Sequence, residues 1–212
     1  MDIARIQTTP EEELLSRLRQ TRLKGHGQPL IYQNARLELA RQMDPRALFP
    51  AQRYVLREDF VRLEALHQLF KGRGVDIFAL EGAVWFHLRQ EDGAEGEAIP
   101  LLPPVVEMSR EPDGRTIPLI NDGMHRVYAA LRLGKRINVV MVHDVPEEYP
   151  YYAHALPNGW DDVTELDALP DDFVKKSYRD PQNYKALFRD FNAVFPGVQK
   201  QRKQSNPASL QA

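Results

Sequence analysis

The chain has 212 residues, 42% hydrophobic and 27% charged, enough for one well-buried domain with appendages or two small ones; its formal charge of −2 excludes a global field drawing it to nucleic acid. It contains no cysteine, which excludes disulfides, thiolate metal sites and thiol catalysis and fits a reducing compartment. No apolar signal core opens the chain and no window approaches about eighteen apolar residues, so the expectation is a cytoplasmic protein without membrane contacts.

Thr9-Pro10-Glu11-Glu12 has the form of a capping box with Pro at the first helical position, and a helix is predicted from Pro10 to about Lys24. Leu14, Leu15, Leu18 and Leu23 make its apolar stripe, and Gly25-His26-Gly27 ends it. Asn34 caps a second predicted helix that runs to Met43, where Asp44-Pro45 stops it. Residues 1–43 are therefore expected as a helical extension, and packing, a dimerisation arm and a lid are all open as its role. Phe60, Leu63, Leu66, Leu69 and Phe70 recur at helical spacing, predicting a helix over Asp59 to Phe70, and Gly72-Arg73-Gly74 separates it from predicted strands at Val75–Phe78 and Ala83–Leu88. The acidic, Gly-bearing run Arg89–Glu97 reads as a solvated hairpin tip. Pro100, Pro103, Pro104 and Pro118 confine their strands to edges or irregular starts.

The most informative run is Leu119 to Ala130. An apolar strand breaks at Asp122-Gly123 and restarts at once as a helix with His125 and Arg126 in its first turn. That end of a helix carries unpaired N–H donors and the positive pole of the dipole, so two adjacent bases there point to an anion, phosphate first of all. The plainer alternative is a His and an Arg that face water or pair with Asp122.

Several parts in a fixed order resemble the ParB/sulfiredoxin superfamily. They are Leu101 to Met108, a turn at Asp113-Gly114, the strand Ile117–Ile120, the Asp122-Gly123-x-His125-Arg126 motif, a short helix ending at Gly134 and the strand Ile137–Val142. Upstream, Leu48-Phe49-Pro50-Ala51-Gln52-Arg53 before the Asp59 helix is similar to that superfamily's opening box. The resemblance implies an α+β fold, a small mixed sheet with packed helices over residues 44–145, and a nucleotide phosphate held at the motif helix. It assigns Gly123, Met124, His125 and Arg126 to the phosphates of a nucleoside di- or triphosphate, with or without Mg, and lets Arg53 close the site. Asp122 and His125 are the catalytic candidates: His125 orients or protonates a phosphate oxygen, while Asp122 either holds the turn or serves as base or Mg ligand toward an attacking hydroxyl.

Met124 stands where sulfiredoxins carry their reactive Cys, and the Gly-Glu-Arg-Arg form usual in chromosome-partition proteins is absent, as is a helix-turn-helix after Val145. A phosphotransferase or nucleotide hydrolase acting on a small acceptor is therefore expected ahead of a nucleotide-gated or DNA-associated binding protein. A homodimer is compatible with either.

Residues 146–197 are expected to pack on the domain as an aromatic loop, Tyr149 to Trp160, and a helix from Asp180-Pro181 whose Tyr184, Leu187, Phe188, Phe191 and Val194 form one apolar face. The loop aromatics either anchor it or stack a base. Residues 198–212 are expected to be a disordered tail. No resident metal site is expected: the six His residues are scattered, a mixed Asp122, His125, His143 and Asp144 set is geometrically conceivable, and Mg arriving with the phosphates is expected ahead of it.

Overall fold

In the computed structural model, which describes residues 2–171 and 173–197, the chain runs β1 (Ile3–Thr8), α1 (Glu11–Leu18), β2 (Arg36–Met43), β3 (Tyr54–Leu56), α2 (Arg57–Lys71), β4 (Val84–Arg89), β5 (Glu95–Leu101), β6 (Val105–Arg110), β7 (Thr116–Asp122), α3 (Met124–Arg132), β8 (Ile137–His143), β9 (Thr164–Leu166) and α4 (Phe191–Val194). The fold is α+β, as expected. A mixed sheet of order β2-β8-β6-β7 lies beside an antiparallel β1-β4-β5 sheet and a short parallel β3-β9 pair.

The central strand β8 is buried from Ile137 through Val142, so its continuous apolar run reads correctly as a strand covered on both faces. One core packs Val106, Ile120, Val139 and Met141 against Phe70 of α2 and Val127, Ala129 and Ala130 of α3; a second joins Leu14, Leu18, Leu37, Leu39, Val140 and Val142. Pro118, which lacks an N–H, sits in the outermost strand β7. There the Phe49 segment covers the edge: Phe49 N–H donates to the Pro118 carbonyl at 2.8 Å and Ile120 N–H to the Phe49 carbonyl at 2.9 Å. This pairing brings the Leu48–Arg53 box beside the motif strand.

Four expected elements differ. Residues 36–43 form a strand: Leu37 and Leu39 are buried while Arg36 and Glu38 are exposed, a period of two, and the segment pairs antiparallel with β8. Residues 2–43 thus contribute two strands and one helix. The helix expected to reach Lys24 stops at Leu18, Thr9 Oγ1 donates to the Ala83 carbonyl and does not cap, and Leu23 bridges to Arg189 instead. Gly25 is required there by close approach, since a Cβ would lie 2.4 Å from Ala186 Cβ. Val75–Phe78 is a turn, with the Asp76 carboxylate accepting from Phe78 N–H at 2.9 Å, although Ile77 and Phe78 are buried as a strand's would be.

The helix expected after Asp180-Pro181 is a 3-10 turn at Tyr184–Leu187 and the single turn α4. Between them the backbone pairs with residues 22–24, Lys24 N–H donating to the Phe188 carbonyl at 2.9 Å and Asp190 N–H to the Arg22 carbonyl at 2.8 Å, and tertiary pairing overrides the helical spacing. The expected tail, 198–212, lies outside the described residues.

Candidate functional site

The site is built where β7 ends and α3 begins. Gly123 has φ of +82°, and a Cβ on it would come within 2.8 Å of Pro104 Cβ, so both conformation and space demand glycine. Its carbonyl accepts from Arg126 N–H at 3.0 Å and Val127 N–H at 3.1 Å, which opens the helix directly behind the strand. No side chain caps this start and no acidic residue lies in its first turn, so the positive pole is not neutralised from within the helix.

Arg126 is 7% exposed and its Nη1 has no hydrogen-bond partner. Burial lowers its pKa to about 10, with the Asp122 carboxylate pulling the other way. His125 is placed differently: its side chain is 42% exposed and its Nε2 lies 3.7 Å from an Asp59 carboxylate oxygen on α2. Met124 packs against the main core. Arg53 is exposed; its Nη2 donates to Ser177 Oγ at 2.7 Å and its N–H to the Lys175 carbonyl at 3.0 Å, which ties it to residues 175–177 and not directly to α3. The mixed metal set is not assembled: His143 Nε2 lies 2.9 Å from Glu38, and among the described residues no three His, Asp or Glu side chains are placed to share an ion.

Residues that the sequence did not single out complete the surroundings. Lys176 donates from Nζ to the hydroxyls of Tyr151, at 2.8 Å, and Tyr152; Tyr151 in turn donates to the Asn121 carbonyl at 3.4 Å. Burial pushes the Lys176 ammonium down to about 7, the Lys175 charge adds to this, and Asp122 opposes it. Asp122 is therefore the carboxylate whose charge reaches both Arg126 and Lys176. Nothing in the local sequence around Lys176 marks it, because its partners are supplied by a loop twenty-odd residues earlier.

Beneath lies a buried polar hub. The Glu107 carboxylate accepts from Tyr32, from Asn121 Nδ2 at 2.6 Å, and from Arg189 Nε and Nη2 at 2.8 and 2.9 Å. This bidentate pair holds Asn121 and so fixes the strand end that carries Asp122. Burial and the neighbouring Glu107 raise the Tyr32 hydroxyl well above its ordinary value. The loop aromatics anchor: Tyr151 is 1% exposed, and Trp160 Nε1 donates to the Pro45 carbonyl at 2.8 Å.

Two hollows lie elsewhere. One of about 250 Å³ is lined by Phe49, Glu111, Arg115, His154 and Leu156 among others; a wider one of about 670 Å³ is lined by Gln7, Thr9, Arg17 and Trp85. Neither is lined by the first turn of α3. Among the described residues no helix is long and apolar enough to cross a membrane.

A family model described as ParB CE domain matches residues 13–164, carrying the likeness back from the opening box into α1 and forward to the start of β9. No curated protein and no solved structure matches the chain.

Proposed function

From the premise that this chain belongs to the ParB CE domain family, we propose that the start of α3 binds the phosphates of a nucleoside di- or triphosphate. One observation carries the reading: a cation in the first turn of an uncapped helix, 7% exposed, keeps a guanidinium nitrogen without a partner. An unpaired buried donor costs about 1–3 kcal/mol, more when charged, and a phosphate oxygen recovers that cost together with the helix-dipole attraction. Phosphate fits these residues because its oxygens accept from backbone N–H and guanidinium alike. Since Nη1 is sealed from solvent, ligand entry displaces the side chains that cover it.

Around the phosphates, Asp122 serves in this reading as the base that takes the proton of an attacking hydroxyl or water. That supports a phosphotransferase or nucleotide hydrolase, in which the oxygen–phosphorus bond forms at the terminal phosphate as the bond to the leaving phosphate breaks. Mg, if it accompanied the nucleotide, would be held by the Asp122 carboxylate together with the phosphates and would supply charge neutralisation. Arg126 stabilises charge on the transferred group, while His125, held toward Asp59, serves at the rim.

The test is a thermal-shift titration of the full chain with ATP, ADP and CTP, with and without Mg. Binding at a hundred times Kd adds about 2.7 kcal/mol, a rise of roughly 5–10 °C for a chain of this size, and Arg126→Ala is expected to abolish it. No shift with any nucleotide rejects the reading.

A further inference from the structure

We propose that Lys176, from the segment after β9 and outside the family-matched residues, is a second phosphate-binding cation of this site and makes anion binding depend on pH around neutrality. The inference rests on the phosphate reading of α3 and adds a residue and a protonation step to it.

The geometry is that of a held ammonium with a donor to spare. Lys176 has three N–H donors; two go to the hydroxyls of Tyr151 and Tyr152, and the third has no hydrogen-bond partner among the described residues. Tyr151 donates to the Asn121 carbonyl at 3.4 Å and accepts from Lys176 at 2.8 Å. Nζ lies 4.6 Å from the centre of the Tyr152 ring and 5.2 Å from that of Tyr151, which further fixes its position. The lysine is thus anchored in part by Tyr151, whose hydroxyl touches the backbone immediately before Asp122. Backbone pairing keeps the segment in place: Arg53 N–H donates to the Lys175 carbonyl at 3.0 Å, His154 N–H to the Ser177 carbonyl at 2.9 Å, and Arg179 N–H to the Tyr152 carbonyl at 3.0 Å.

Electrostatics points the same way. The charged and titratable groups facing Lys176 are Asp122 from β7, Tyr151 and Tyr152 from the loop after β8, and Lys175 from its own segment. Asp122 is also the carboxylate acting on Arg126, so two cations share one counter-charge among the described residues. A phosphate bridging Arg126 and the spare Lys176 donor supplies the missing negative charge. Binding then favours the ammonium, so the bound protein takes up a proton wherever the free lysine is neutral. With the free ammonium titrating at about 7, affinity is full below that pH and declines above it, by up to about tenfold per unit, until the bound-state pKa is passed.

The experiment is calorimetric titration of the full chain with ATP and with pyrophosphate between pH 6 and 9, each in two buffers of different ionisation heat, for the wild type, Lys176→Met, Lys176→Arg and Arg126→Ala. Wild type is expected to take up a fraction of a proton on binding near pH 8. Lys176→Met should bind about ten- to a hundredfold more weakly at pH 6.5 and take up none. Lys176→Arg, charged throughout, should retain binding and lose both the proton uptake and the pH dependence. Wild-type affinity and proton uptake in Lys176→Met, alongside loss of binding in Arg126→Ala, overturns the role of Lys176 and leaves the phosphate reading standing. No binding of either ligand to wild type overturns both.

Discussion

Replacing Glu107 by Gln tests the hub that holds the motif strand. The carboxylate is 2% exposed and its Arg189 partner's side chain is fully buried, with Nε and Nη2 at 2.8 and 2.9 Å from its two oxygens. The amide keeps one acceptor for Tyr32 and Asn121 but strands the guanidinium charge without a counter-ion. Breaking a buried pair from one side costs about 3–5 kcal/mol. At about 2–4 °C per kcal/mol for a chain of this length, the melting temperature should fall by roughly 6–20 °C. Arg189→Met should cost a similar amount, whereas the double variant Glu107→Gln/Arg189→Met, with no charge left and one acceptor kept, should lose about 2 kcal/mol less than the sum of the singles. Urea unfolding of all four proteins gives the cycle. A Glu107→Gln variant within about 1 kcal/mol of wild type, or single effects additive within about 0.5 kcal/mol, would refute the hub as the device that fixes Asn121.

Gly123→Ala combines a left-handed backbone, about 1–2 kcal/mol, with a methyl forced against Pro104, about 1–3 kcal/mol, so chemical unfolding should register a loss of about 2–5 kcal/mol; a loss below about 1 kcal/mol would mean that the turn relaxes. His67, 5% exposed, has its pKa pushed down by burial, with Asp76 opposing. The unfolded chain therefore binds the proton more readily, and stability should fall as pH drops below about 6.5; a His67→Gln variant with an unchanged acid limb in pH-dependent melting would show that other groups dominate.

The motif region was legible because its signals are local. Asp122-Gly123 marks one backbone position that only glycine fits, and the strand, turn and helix around it follow from residues within ten positions. The α2 spacing and the continuous apolar run of β8 read correctly for the same reason. Where the sequence misled, long-range pairing won: Arg36–Met43 holds good helix formers yet completes a sheet through β8, and Phe188–Asp190 is pulled extended by residues 22–24. His125 and Arg126 are adjacent in sequence, but one helical step of about 100° sends the first to Asp59 on α2 and the second into the interior. Lys176 meets Tyr151 and Tyr152, and Glu107 meets Asn121, only through tertiary structure, and no spacing rule predicts a lysine whose partners lie on another segment.

The most direct measurement is a crystal structure of the full chain grown with ADP or a non-hydrolysable ATP analogue and Mg. A phosphate oxygen is expected within hydrogen-bond distance of Arg126 Nη1 and of the backbone N–H groups that follow Gly123. Phosphates seated elsewhere, such as the hollow beside Glu111 and His154, with Arg126 Nη1 still unpartnered, would contradict it.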